Sequence, residues 1–214
     1  MFKNRCLAWI LLWGLVGQVP IPLHASPIAE GGNDTILVMG DSLSAAHGIA
    51  TEQGWVNLLQ QRLRDQGYQT TVINGSISGE TTSGGRRRLS QTLLQVKPTL
   101  VILELGANDG LRGLSLKEMQ KNLTTMIDQS QQAGAKVLLL GMRIPPNYGK
   151  AYAERFHQIY LDLAKQYQLP VVPFFLESVV QQRELMQEDN LHPTAPAQEK
   201  LLETVWEKVK EVLK

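Results

Sequence analysis

Ser42 lies within Gly40-Asp41-Ser42-Leu43-Ser44, directly after the apolar run Thr35-Ile36-Leu37-Val38-Met39. A serine placed where a buried strand gives way to a turn can hold its hydroxyl clear of the sheet, with its own backbone N–H aimed at the same space. Position 44 is serine rather than glycine, so the Gly-x-Ser-x-Gly elbow of common hydrolases is not the device used. Taken alone, Asp41 and Ser42 also suit the N-cap of a following helix. Near the other end stands Asp189-Asn190-Leu191-His192-Pro193. Three-residue spacing across a turn can set the Asp189 carboxylate against one imidazole nitrogen and leave the other free to face Ser42. A surface histidine ahead of a helix is the plainer reading of the same residues. Of the other histidines, His47 follows Ser42 too closely to reach back, His157 falls in a helical segment, and His24 belongs to the N-terminal segment considered below.

Two more turns follow apolar runs. Asn74-Gly75-Ser76-Ile77-Ser78-Gly79-Glu80-Thr81-Thr82 carries glycines that allow close backbone approach, and Gly79 can present a bare N–H toward Ser42. Its alternative is a turn into a helix capped by Ser78 or Thr81. Gly106-Ala107-Asn108-Asp109-Gly110 offers the Asn108 amide as a donor into the same space, with Asp109 able to cap or brace the turn; a polar turn that only ends a strand fits as well. Each signal is weak alone. Together they supply a nucleophile (Ser42), a base (His192), an orienting acid (Asp189) and three oxyanion donors (the N–H of Ser42, the N–H of Gly79 and the Asn108 side chain), the set that acyl transfer needs.

The elements that must position these residues are legible from periodicity. Thr35–Met39, Thr70–Ile73, Leu100–Leu105, Lys136–Leu140 and Pro170–Pro173 read as five short buried strands. Between them run helix-period segments: Trp55, Leu58, Leu59 and Leu63 stopped by Gly67; Leu116, Met119, Leu123, Met126 and Ile127; and a last helix with Ala197, Leu201, Val205, Trp206, Val209 and Leu213. Continuous apolar strands separated by amphipathic helices predict a parallel sheet covered on both faces, a three-layer α/β sandwich. In such sheets ligands bind beyond the carboxyl ends of the strands, where all three turns lie.

Composition narrows the possibilities. Twenty-one Lys+Arg against twenty Asp+Glu give a net charge of +1, so the totals carry no footprint for nucleic acid. Arg86-Arg87-Arg88 diverge around a helix and read as solvated surface. The single cysteine, Cys6, excludes a disulfide framework and any multi-cysteine metal site. No Walker lysine motif, His-Glu-x-x-His or dinucleotide glycine fingerprint occurs, so no metal, nucleotide or redox cofactor is expected. Lys3 and Arg5, the apolar run Leu7–Val16 and a Pro-rich stretch ending at Ala25 have the order of a secretory signal. The apolar run falls short of the roughly 20 residues that span a bilayer. The expectation is a signal peptide over residues 1–25, one domain over 26–214, and a periplasmic or secreted protein without stable membrane insertion after cleavage.

These blocks, in this order, resemble the SGNH hydrolases, also called GDSL esterases and lipases. More narrowly they are similar to the bacterial secreted thioesterase I, protease I and lysophospholipase L1 group and its arylesterase relatives. The resemblance runs from Gly40-Asp41-Ser42-Leu43-Ser44-Ala45 through Ser76-Ile77-Ser78-Gly79, Glu104-Leu105-Gly106-Ala107-Asn108-Asp109-Gly110-Leu111-Arg112-Gly113 and Arg143-Ile144-Pro145-Pro146-Asn147-Tyr148-Gly149 to Asp189-Asn190-Leu191-His192-Pro193. It implies a flavodoxin-like sheet ordered 2-1-3-4-5 and a Ser42-His192-Asp189 triad with an oxyanion hole of Ser42, Gly79 and Asn108. Ala107 departs from the second glycine common in close relatives. Leu111 and Leu114, with Met142, Ile144, Pro145, Pro146 and Tyr148, offer apolar surface to an acyl chain, and Gly110 and Gly113 could hinge the first of these loops. The expected reaction is hydrolysis of esters or thioesters with apolar acyl chains, lysophospholipid included, by a monomer. The alternatives are a carbohydrate acetylesterase and a non-catalytic periplasmic binding protein of the same fold.

Overall fold

A computed structural model describes residues 34–213. The segment read as a signal, with Cys6 and His24, lies outside the described residues. Five parallel strands, β1 (Thr35–Gly40), β2 (Thr71–Asn74), β3 (Leu100–Glu104), β4 (Lys136–Leu140) and β5 (Val171–Val172), form one sheet in the order β2-β1-β3-β4-β5. The central strands are buried along almost their whole length, because a parallel ladder with helices on both faces leaves no side of the strand for water. β2, at one edge, is largely exposed. β5, at the other, is shorter than the Pro170–Pro173 run suggested: prolines lack the N–H a ladder needs, so only Val171 and Val172 pair.

Six helices connect and cover the strands: α1 (Trp55–Asp65), α2 (Thr82–Val96), α3 (Ala107–Leu111), α4 (Leu116–Gln132), α5 (Lys150–Tyr167) and α6 (Gln198–Leu213). α1 buries Trp55, Val56, Leu59 and Leu63. Each such side chain contributes about 1.5–3 kcal/mol of transfer free energy. α1 packs against α6, whereas α2 packs against α4 and α4 against α5. The chain leaves Leu63 through backbone bonds that close at Gly67 and Tyr68, where the sequence placed the stop.

The order β2-β1-β3 puts β2 and β3 on opposite sides of β1. The connections leaving β1 and β3 therefore diverge, opening a crevice at the carboxyl ends of these strands. The turns after β1, β2 and β3 all end there.

Candidate active site

The turn after β1 is not a helix cap. Residues 42–48 form consecutive turns, and α1 begins only at Trp55 with Gly54 before it. Asp41, almost fully buried, accepts from the N–H of Leu43 at 3.1 Å and from Asn108 Nδ2 at 3.0 Å. Ser42 Oγ lies 2.9 Å from His192 Nε2, and His192 Nδ1 lies 2.6 Å from Asp189 Oδ2. A carboxylate only accepts, so Nδ1 carries the imidazole proton and Nε2 is free to accept from the Ser42 hydroxyl. The other Asp189 oxygen accepts from the N–H groups of Leu191 and His192. Desolvation pushes the Asp189 carboxyl up, but the His192 hydrogen bond and those two backbone donors outweigh it and hold the group down at about 2.

The turn after β2 does two things at once. Thr81 caps α2, accepting from the Gly84 N–H at 3.4 Å, as the plainer reading expected. Two residues earlier, Gly79 takes φ 76°, a left-handed conformation that a side chain would strain, and lines the same cavity as Ser42 and Asn108. The backbone N–H groups of Ser42 and Gly79 donate to no acceptor among the described residues. The turn after β3 continues as α3 rather than as an open loop. There Asp109, also buried, accepts from Thr82 N at 2.8 Å and Thr82 Oγ1 at 2.6 Å, which ties the start of α2 to α3. The Asn108 amide is oriented from both ends, because Arg112, which only donates, faces its Oδ1 at 3.4 Å while Asp41 takes an Nδ2 proton.

Beneath this cluster sits a residue whose chemistry the apolar strand concealed. Glu104, at the end of β3, is 0% exposed and accepts from Ser44 Oγ at 2.7 Å and Asp41 N at 3.2 Å through one oxygen, while its Oε1 has no partner. Burial, then the neighbouring charge of Asp41, raises the Glu104 carboxyl well above its usual range, which keeps it neutral. Burial likewise raises Asp41 to about 6, opposed by the Leu43 N–H, the Asn108 amide and His192. One charge and one proton thus share the space under the crevice. A single acid inside an otherwise apolar strand was the available signal.

The cavity above Ser42 and His192 holds about 340 Å³. Of the apolar residues expected near it, Leu111, Met142, Ile144 and Pro145 line its wall. Leu114, Pro146 and Tyr148 do not. Leu114 follows the end of α3, is 42% exposed, and offers only its carbonyl to Tyr152 Oη. Gly110 lies within α3 against Phe156 and Ile144, where a Cβ would collide, so it is a packing position and not a hinge. Phe174, Leu176 and Val180 complete the wall from a segment that carried no sequence signal, with Leu191 from the loop that bears Asp189 and His192. His47 also lines the cavity, its ring centroid 4.4 Å from that of His192. His157 is elsewhere, bonded to the Met142 carbonyl and Arg143. Arg86 and Arg87 are exposed, but Arg88 pairs with Glu80.

A family profile described as GDSL-like Lipase/Acylhydrolase matches residues 38–200, most of the described chain. This chain belongs to that family. Among relatives, Esterase TesA of Pseudomonas aeruginosa is 51% identical over 184 residues, covering 86% of this chain and 92% of its own length. Thioesterase 1/protease 1/lysophospholipase L1 of Escherichia coli is 41% identical over 165 residues, covering 77% of this chain and 78% of its own. The crystal structure of a psychrotrophic esterase, EstA from Pseudoalteromonas sp., inhibited by monoethylphosphonate, superposes with a TM-score of 0.81 at 42% identity, covering 85% of this chain and 99% of that one.

Proposed function

We propose that this family member is a serine hydrolase that cleaves carboxylic esters and thioesters with apolar acyl chains through a covalent acyl-Ser42 intermediate. The observation that carries the reading is the unbroken relay Asp189–His192–Ser42 opening into an apolar-walled cavity. In the first half-reaction Ser42 Oγ attacks the substrate carbonyl carbon as its proton passes to His192 Nε2. Asp189, ionised throughout, stabilises the imidazolium and fixes its orientation. Negative charge gathers on the carbonyl oxygen, where the Ser42 and Gly79 N–H groups and the remaining Asn108 amide proton receive it. The bond to the alcohol or thiol then breaks, and the leaving group takes the proton from Nε2. In the second half-reaction water gives a proton to Nε2 and attacks the acyl carbonyl; Ser42 recovers the proton as the acid departs.

Leu111, Met142, Ile144 and Pro145, together with Phe174 and Leu176, favour an acyl chain longer than acetyl, and an acetyl group would leave most of the 340 Å³ unfilled. That weighs against the carbohydrate acetylesterase. It supports medium-chain esters, acyl-CoA thioesters and lysophospholipid as candidate substrates, in a protein exported by residues 1–25. No described helix is long and apolar enough to cross a membrane. The test is a substrate panel of p-nitrophenyl acetate, butyrate, octanoate and palmitate together with acyl-CoA and lysophosphatidylcholine. kcat/KM is expected to rise from acetyl to octanoyl by about 10-fold or more, since each buried methylene adds about 0.8 kcal/mol. A sharp acetyl preference would contradict the apolar-acyl assignment.

A further inference from the structure

His192 sits in a loop, and loops alone hold a base poorly. Asp189, which orients the ring through Nδ1, belongs to the same loop and cannot fix its position relative to Ser42. What ties the two segments together is Gln187. Its Nε2 donates to the His47 carbonyl at 2.8 Å and to the Pro193 carbonyl at 3.0 Å, so both amide protons are used, one on the turn that carries Ser42 and one on the residue after the base. Its backbone N–H donates to the His192 carbonyl at 2.7 Å, and its carbonyl accepts from Asn190 N and Arg183 Nη1. Met186 and Pro193 pair as an antiparallel bridge, and Thr194 N donates to the Leu185 carbonyl. Among the described residues the Gln187 side chain makes the only hydrogen bond between residues 41–50 and residues 183–194 apart from Ser42–His192 itself. Gly48 makes room for it: a Cβ there would stand 2.3 Å from Gln187 Oε1.

We propose that Gln187 is a positioning residue, a clasp that sets the His192–Ser42 distance by joining the base-bearing loop to the nucleophile turn and holding the His47 ring against the face of His192. The inference rests on the serine-hydrolase reading above. His47, held through its carbonyl, tilts its ring 43° against that of His192 at 4.4 Å, which limits rotation of the base toward solvent. Gln187 itself does not line the cavity, so its loss should spare acyl binding and impair the proton transfer that depends on alignment. Misplacement of a catalytic group by about 1 Å can cost about 100-fold in rate.

The experiment compares Gln187→Met, which keeps length but donates nothing, and Gln187→Glu, which sets a carboxylate against two carbonyls, with wild type. Steady-state kinetics on p-nitrophenyl octanoate and the second-order rate of Ser42 phosphonylation by a fluorophosphonate are measured together. Both rates are normalised to the fraction of chains finally phosphonylated, so a variant that folds incompletely still reports. The expected result is a fall in kcat of about 10- to 100-fold with KM within about twofold, and a parallel fall in phosphonylation rate. A kcat within twofold of wild type in both variants, or a loss confined to KM, overturns the clasp. If wild type itself resists the phosphonate, the serine-hydrolase reading falls and the clasp with it, whereas variants that match a reactive wild type overturn the clasp alone.

Discussion

Glu104 shows what a charge costs when no water reaches it. In the unfolded chain this carboxyl ionises near pH 4.3, but in the folded protein burial and Asp41 keep the proton on. Above that pH the unfolded chain releases a proton that the folded chain retains, so the group lowers stability progressively as pH rises. Asp41, raised to about 6, acts in the same direction up to that pH. Asp189 is the opposite case: held at about 2, it stabilises the fold above the unfolded value near 3.9 and loses that contribution only as pH falls toward 2. Glu104→Gln keeps an oxygen for Ser44 and Asp41 N and has no proton to lose. Its stability relative to wild type, from urea unfolding, is therefore expected to improve from about pH 4.5 upward, by no more than about 1.4 kcal/mol per pH unit. Parallel pH profiles for the two proteins would contradict a neutral Glu104. The proposed site residues were legible because Ser42, Gly79, Asn108, Asp189 and His192 fall at strand ends or in one terminal loop, places read directly from periodicity. Glu104 was hidden inside a strand that reads as core. By residue order His47 stands too close to Ser42 to reach back. The structure instead folds its turn back through positive φ at Ala46 and Gly48, laying the ring on His192, and such dihedrals leave no mark in residue order.

At the scale of elements, the site depends on two helix starts being locked to each other. Asp109 on α3 accepts both the N–H and the hydroxyl of Thr82 at the first turn of α2, and Asn122 of α4 donates to the same hydroxyl at 3.1 Å. The turn bearing Gly79 and the helix bearing Asn108 therefore move together. Asp109→Ala would leave a buried N–H and hydroxyl short of their acceptor, and hydrogen bonds to a charged partner contribute about 1.5–3 kcal/mol each. The expected outcome is a loss of about 3–6 kcal/mol in urea unfolding with a fall in kcat, since two of the three proposed oxyanion donors lose their common anchor. Unchanged kcat in a destabilised variant would show that the two turns are held independently. Sequence spacing identified Asp109 as a brace but not what it braces, because Thr82 is 27 residues away and meets it only through the sheet order. α3 itself was read as an open turn, since five residues are too few for periodicity to register.

Across the whole molecule, the layers were readable because β1, β3 and β4 are continuous apolar runs and α1, α4 and α6 keep their apolar stripes, whereas β2, read as buried, is largely exposed at the sheet edge. The sheet order followed only from the family resemblance, because local pattern does not specify which strands pair. The divergence of the connections from β1 and β3 creates the crevice, and the fold thereby delivers Ser42 and His192, 150 residues apart in sequence, to within hydrogen-bonding distance. The cavity walls were the least legible part. Phe174, Leu176 and Val180 come from the irregular stretch after β5, where neither period nor motif marks a direction. The proposed mechanism requires Ser42 to form the covalent bond to substrate. Its most direct test is intact and peptide mass analysis after treatment with a fluorophosphonate, alongside turnover of the Ser42→Ala protein. The expected result is one adduct per chain, on Ser42, with hydrolysis lost in proportion to labelling and turnover of Ser42→Ala reduced about 10⁴- to 10⁶-fold. An adduct on another residue, or near-wild-type turnover by Ser42→Ala, would contradict it.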